Sequence, residues 1–209
     1  MTNIQLSQDP YNLIIAGVGG QGNVLASRVV GNMLSRKGLT VTIGETFGGT
    51  QRGGSVMSHL RISSGSAFSP LIPRGKADMI IGLEPTDTLR VLGTYGNPDV
   101  KTICNMRPIH PVQVISGEPS YPDLEDAKNW IRELSRDAWF LDATDVAMEM
   151  GAAILGNIIL IGALAGLNEL PLDREDFENA IGLTFSGEKV QVNLAAYDKG
   201  IEMIARNGR

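Results

Sequence analysis
Three glycines at GxGxxG spacing, Gly17, Gly19 and Gly22, stand directly after the apolar run Leu13, Ile14, Ile15 and Ala16 and before a helix-like segment from Asn23 to Lys37. Glycine at these places serves three ends: a tight turn off the strand at Gly17, approach of bare backbone to a phosphate at Gly19, and close packing of helix on sheet at Gly22. The helix that follows begins with unpaired N–H groups at the positive end of its dipole, so an anion is favoured there. Gly20, Gln21 and Asn23 complete this loop and are candidates, with the three glycines, for holding the phosphates of a ligand. The same glycines suit a plain βα turn, and that reading stays open.

A second glycine-rich loop follows soon after. Leu39 to Ile43 reads as a short β-branched strand that runs into Gly44, Glu45, Thr46, Phe47, Gly48, Gly49, Thr50, Gln51, Arg52, Gly53 and Gly54. In a doubly wound sheet both loops leave the carboxyl ends of neighbouring strands and face one crevice, where such sheets bind ligands. Gln51, Arg52 and Gly53 are therefore candidates for closing the same site, and Arg52 brings a guanidinium that can grip a phosphate with two parallel bonds. Glu45 lies 23 positions after Gly22, just past the second strand, where a dinucleotide-binding sheet places an acid for the ribose hydroxyls. An NAD(P)-binding subunit is thus a rival reading, and pairing of Glu45 with Arg52 is the plainer one. Glu84, at the end of another apolar run, is either a crevice residue or a solvated strand end.

Other chemistries find little support. The single cysteine, Cys104, has no CxxC partner and sits in an apolar run, which suits core packing. His59 and His110 are far apart and belong to no metal-spaced cluster, so no metal ligand is assigned. No GxSxG elbow appears, and no GK[ST] follows the first glycine loop. No catalytic residue is assigned to this chain.

The elements that must position the two loops follow from periodicity. Ser55 to Ser63 alternates, with Val56, Ser58, Leu60 and Ile62 on one side and Met57, His59 and Arg61 on the other, the pattern of a half-buried strand. Asp78 to Leu83 is compact and apolar, suited to a central parallel strand. Thr86 or Asp87 is expected to cap a helix running to Thr94, and Val100 to Asn105 reads as a strand. A proline-rich connection follows, with a short strand at Val112 to Ile115; then come a helix from Leu124 to Ser135 and a strand from Trp139 to Asp142. Trp130 and Trp139 read as core or interface anchors. From Thr144, a plausible cap, the chain is helical: Asp145 to Met150, the apolar Ala152 to Leu167, Asp173 to Ile181, and Lys189 to Ala205. Alternating strands and helices imply an α/β fold, a three-layer, doubly wound, mostly parallel and Rossmann-like sheet with a helical C-terminal part. Residues 1–209 form one domain.

Composition narrows the partners. With 209 residues and 43% hydrophobic content the chain can bury one substantial core. A net charge of -5 argues against a nucleic-acid surface. The longest apolar stretch is broken by Asn157 and falls short of the ~20 residues a bilayer requires, so no membrane span is expected. The start has neither a basic nor an apolar leader region. One cysteine permits no internal disulfide and suits a reducing cytoplasm. It also excludes a four-cysteine iron–sulfur site made by this chain alone.

The segments GVGGQGNVLASRVVG, ETFGGTQRGGSVMSHLRIS, SPLIPRGKADMIIGLEPTDTLR and GNIILIGALAGL, with LPL after them, resemble the gamma-type subunit or domain of 2-oxoacid:ferredoxin oxidoreductases. The likeness is strongest to the small subunits of the indolepyruvate type and covers nearly the whole chain, with QRGGS as its most specific element. Those subunits carry His and Met in the second loop, where this chain has Phe47 and Gly49, which points to another aryl or branched 2-oxoacid as substrate. The resemblance implies oxidative decarboxylation of a 2-oxoacid, with coenzyme A accepting the acyl group and ferredoxin the electrons. It implies that thiamine diphosphate, Mg and the 4Fe-4S clusters sit on a larger partner subunit, in a homodimer or heterotetramer. This chain would hold no cofactor alone but help to bind CoA, inactive by itself. A scaffold subunit with no ligand of its own is the remaining alternative.

Overall fold
A computed structural model describes residues 5–48, 54–109 and 121–206. The expected sites Gln51, Arg52 and Gly53, the strand expected at Val112 to Ile115, and His110 lie outside the described residues.

The central strand β1, Tyr11–Val18, is an unbroken apolar run because both its faces are covered. Leu13 and Ile15 enter one core, Ile14 and Ala16 the other. Helix α1, Asn23–Arg36, connects it to β2, Thr40–Phe47, which forms a hairpin with β3, Ser55–Ser63. Then follow β4, Met79–Gly82; α2, Pro85–Tyr95; β5, Lys101–Asn105; α3, Leu124–Glu133; and β6, Asp137–Leu141. The chain closes with α4, Ala143–Glu149; a 3-10 turn, Ala153–Leu155; and helices α5, Gly156–Gly166, α6, Arg174–Gly182, and α7, Glu188–Arg206.

The six strands lie in the order β2-β3-β1-β4-β5-β6. β1, β4, β5 and β6 pair in parallel, whereas β3 runs antiparallel to both β1 and β2. The α/β, mostly parallel, three-layer reading holds: α1, α5, α6 and α7 belong to the core on one face, α2 and α3 to the other.

Several local expectations are corrected. β2 extends through Glu45 to Phe47, so Glu45 is a strand residue paired with Ser58 and not a loop residue. β1 and β2 are not neighbours, since β3 separates them. β3 is covered on both faces; His59 is fully buried, its ring meeting Tyr95 edge-on at 5.2 Å. The cap of α2 is neither Thr86 nor Asp87 but Glu84, whose carboxylate accepts from the Asp87 amide at 2.8 Å while Pro85 takes the first helical position. Thr144 lies inside α4 and its amide donates to Asn105 at 3.1 Å. Of the two tryptophans read as core or interface anchors, Trp139 is a core residue and Trp130, 46% exposed, is not, which leaves it the interface alternative.

Helix α5 is apolar on all sides because it is enclosed, sheet on one side and α7 on the other. Its backbone touches that of α7: a Cβ on Gly162 would collide with the Tyr197 carbonyl, and one on Gly200 with the Ile159 carbonyl. No helix among the described residues is long and apolar enough to cross a membrane.

Candidate functional site
The direction of the chain splits between β1 and β4: β1 leads through α1 toward β2, and β4 leads through α2 toward β5. Their carboxyl ends therefore part at a crevice, the place where open α/β sheets take ligands. The first glycine loop sits on it.

The roles of the glycines differ from those their spacing suggests. Gly17 is not the turn residue; it lies in β1, and its missing side chain makes room for Gln21 and for Leu83, whose Cβ would stand 2.8 Å away. The left-handed turns fall at Gly20 (φ 103°) and Gly22 (φ 85°). Gly22 lets α5 approach, since a Cβ there would collide with Asn157 and stand 3.0 Å from Ile154 Cδ1. Gly19 does not present its amide to a ligand, because that N–H donates to the Gly54 carbonyl at 2.8 Å. The Gln21 side chain is likewise engaged: Oε1 accepts from Val18 N at 2.7 Å and Nε2 donates to Leu83 O at 2.9 Å, stitching β1 to the end of β4. Asn23 donates through Nδ2 to Val56 O at 2.8 Å, and its buried Oδ1 has no partner.

What the loop still offers is the start of α1. Gly22 occupies the cap position and supplies no side-chain cap, so the first-turn amides of the helix remain for an anion. They border an open cleft of about 530 Å³ walled by Gly19, Gly20, Asn23, Val24, Gly48 and the exposed ring of Phe47. The roots of the second loop complete its far side: Gly48 N donates to Ser55 O at 2.6 Å, and Gly54 receives Gly19. The first glycine loop and the described roots of the second thus meet at one edge. Glu45 does not join them; it pairs with Ser58, which pairs with Ile15, two strands over from β1 and below the loop.

A second cavity, about 430 Å³, opens on the other side of the glycine loop at the ends of β4 and β5. Asn105, Arg107, Thr144 and Asn157 line it beside Gln21 and the apolar Met148, and sequence reasoning names none of the four as site residues. Asn157 donates to Gln21 O at 3.1 Å and to Gly22 O at 3.4 Å, fastening α5 to the loop. The one polar residue interrupting an apolar helix was the available signal for it. Arg107 pairs with Asp145 at 3.1 Å, both half exposed.

Glu84 is not a solvated strand end; it is fully buried at the same edge. Besides the Asp87 amide its carboxylate accepts from Thr86 Oγ1 at 2.6 Å and from the Tyr121 hydroxyl. Beside it, burial pushes the Asp87 carboxyl up to about 6, opposed by Arg90, reinforced by the Glu84 carboxylate and opposed again by Ser55. Cys104, one strand over, is buried against Thr88 Oγ1 at 3.4 Å, and burial pushes its thiol up to about 12. It is a core residue, as expected, and the described residues contain no cluster of three or more metal-ligating side chains.

A family model described as pyruvate ferredoxin/flavodoxin oxidoreductase matches residues 12–203. The chain belongs to this family. Within it, the indolepyruvate oxidoreductase subunit IorB of Pyrococcus horikoshii is 37% identical over 193 residues, covering 92% of this chain and 95% of that protein. Among solved structures, the gamma subunit of a keto/oxoacid ferredoxin oxidoreductase from Geobacter sulfurreducens superposes with a TM-score of 0.67 at 18% identity, over 94% of this chain and 99% of its own. The 2-oxoglutarate:ferredoxin oxidoreductase of Magnetococcus marinus, a structure with 2-oxoglutarate, coenzyme A and succinyl-CoA bound, gives 0.73 at 19% identity over 96% of this chain and 32% of that one. The two structural likenesses bear on the fold. The gamma-type resemblance read from the motifs is confirmed, and the chain is the small subunit of a 2-oxoacid:ferredoxin oxidoreductase.

Proposed function
We propose that this subunit binds the phosphates of coenzyme A at the cleft between its two glycine loops, in a complex that oxidatively decarboxylates an aryl 2-oxoacid of the indolepyruvate type. The observation that carries the reading is the uncapped start of α1 opening on a cleft whose two walls are joined by the Gly19–Gly54 bond. A helix N-terminus favours an anion by about 1–2 kcal/mol at most, too little to hold a nucleotide alone. The guanidinium of Arg52, two residues before Gly54 in the sequence, supplies the second grip. The relative whose structure holds CoA shares this fold, and the identity to IorB supports the aryl substrate class.

In this reading the chain contributes binding and orientation only. Thiamine diphosphate, Mg and the 4Fe-4S clusters belong to the larger subunit, where they supply the decarboxylation and carry electrons to ferredoxin; the one cysteine here, buried in β5, suits no cluster. CoA takes the acyl group as its thioester. The same cysteine count agrees with a cytoplasmic complex. NAD(P) is the weaker ligand, because the acid it needs beside the glycine loop stands two strands away.

Titrating the intact complex with CoA after Arg52→Ala tests the proposal. Loss of charged hydrogen bonds should raise the KM for CoA by about ten-fold or more. Unchanged CoA affinity and turnover would sink it. Soaks of the isolated chain with CoA and with NADH offer a second check, CoA density at α1 being the expected result.

A further inference from the structure
The first turn of α2 carries an arrangement that helix stability does not require. Asp87 is nine-tenths buried, one of its carboxylate oxygens has no partner, and the other receives Arg90 Nη2 at 2.7 Å. The same Arg90 nitrogen donates to the hydroxyl of Ser55. Ser55 opens β3 directly after Gly54, and its carbonyl accepts from Gly48. The return of the second glycine loop is therefore gripped from three sides: by Gly19 from the first loop, by Gly48 from its own hairpin, and by Arg90 from α2.

We propose that Arg90, held by Asp87, is a positioning residue that fixes the Gly54–Ser55 root against the first glycine loop and so sets the affinity of the cleft for CoA. This rests on the CoA reading above. Arg90 itself is 52% exposed against 12% for the Asp87 side chain, so solvent screens the pair from the arginine's end and it adds less to global stability than a fully buried pair would. Burying Asp87 is unfavourable to the fold, as its carboxyl's rise to about 6 records; the groups facing it are Arg90 on its own helix, Glu84 at the end of β4 and Ser55 on β3. A charge kept where it costs stability, with a partner that reaches the root of the second glycine loop through Ser55, fits a functional role better than a structural one. Because both bonds to Arg90 use one nitrogen, a lysine can reproduce them, unlike a bidentate grip.

The protonation state of Asp87 then matters in two opposite ways. From 3.8 in the open chain its pKa rises to about 6 in the fold. Its contribution to stability is accordingly full below 3.8 and lost as pH climbs through 6. Its hold on Arg90 is the reverse, present above 6 and lost below.

The test uses the reconstituted complex, with the KM for CoA, kcat and melting temperature measured from pH 5 to 8. Arg90→Ala should raise the KM for CoA about five- to ten-fold with kcat at saturating CoA within about two-fold, and Arg90→Lys should restore most of it. Asp87→Asn should carry at pH 8 the KM that the unaltered complex reaches at pH 5, remove the pH dependence, and leave the melting temperature no lower. An unchanged KM in Arg90→Ala beside a raised one in Arg52→Ala overturns the positioning role and spares the CoA site. Unchanged values in both overturn both. A fall in kcat and melting temperature with KM constant reduces Arg90 to a structural residue and also overturns the proposal.

Discussion

The backbone N–H of Gly19 donates to the backbone carbonyl of Gly54 at 2.8 Å, across two loops 35 residues apart in sequence. The amide that the GxGxxG spacing assigns to a phosphate is thereby spent on holding the cleft together. Neighbouring positions of the loop consequently differ in what they tolerate. Gly20→Ala meets nothing within 4 Å and carries only the strain of φ 103°, about 1–2 kcal/mol. Gly22→Ala adds a collision with Asn157 to the strain of φ 85°, about 2–4 kcal/mol in all. Urea unfolding of the two variants should preserve that order, and equal losses would contradict the contact of α5 with the loop.

The crossing of α5 and α7 makes a sharper contrast among glycines. Gly162→Ala and Gly200→Ala each drive a methyl into the facing backbone, which should destabilise the chain by about 2–3 kcal/mol. Gly93 in α2 is exposed with open space around it, so Gly93→Ala should stabilise by about 0.5–1 kcal/mol. Melting temperatures moving in opposite directions are the expected result.

Acid stability should carry a contribution from His59. Burial lowers its pKa below the 6.5 of the open chain, and Nε2 has no partner to favour a second proton. A histidine kept neutral by the fold contributes stability that is full above pH 6.5 and lost as pH falls, because the unfolded chain binds the proton better. Replacing it by Phe keeps an edge contact with Tyr95 and removes the titration. The difference in unfolding free energy between the two proteins should shrink from pH 7 to pH 5. A constant difference would mean that His59 can take up a proton in place.

Cys104 should be chemically silent. With its thiol pushed up to about 12 by burial, a thiol reagent at pH 8 finds almost no thiolate and no access. Labelling should await denaturant, one equivalent per chain, at a rate that follows unfolding. Rapid labelling of the folded chain would show that β5 opens locally.

Most of the fold was legible because its signals are local. The apolar run at Leu13 to Ala16, the glycine loop and the helix from Asn23 stand where the sequence puts them, within a few residues. What escaped depended on distant partners. Ser55 to Ser63 alternates as a half-buried strand would, yet His59, on the side opposite Val56 and Leu60, is fully buried by a layer that no period-two pattern encodes. Thr86 and Asp87 are the commoner helix caps, but Glu84 wins because β4 delivers it into a buried pocket with Tyr121. Of the positions that spacing named, Gly20, Gly22 and Asn23 line the cleft and Gln21 lines the second cavity. Asn157 was not found, since its bonds to the loop span about 136 residues of chain. Glu45 was misplaced for a related reason: counting from Gly22 presumes that the second strand lies beside the first, and an antiparallel strand intervenes.

That intervening strand also governs how the cleft can respond to an occupant. β3 is zipped to β1 over eight consecutive residue pairs and to β2 over eight more. The outer wall therefore cannot hinge on its own; pulling it outward means peeling a ladder whose inner rail is the centre of the molecule. The strand part of that wall is therefore ready-made once the chain has folded, and a ligand taken at this edge would find room for adjustment only beyond the ladder, from the Gly54–Ser55 root outward.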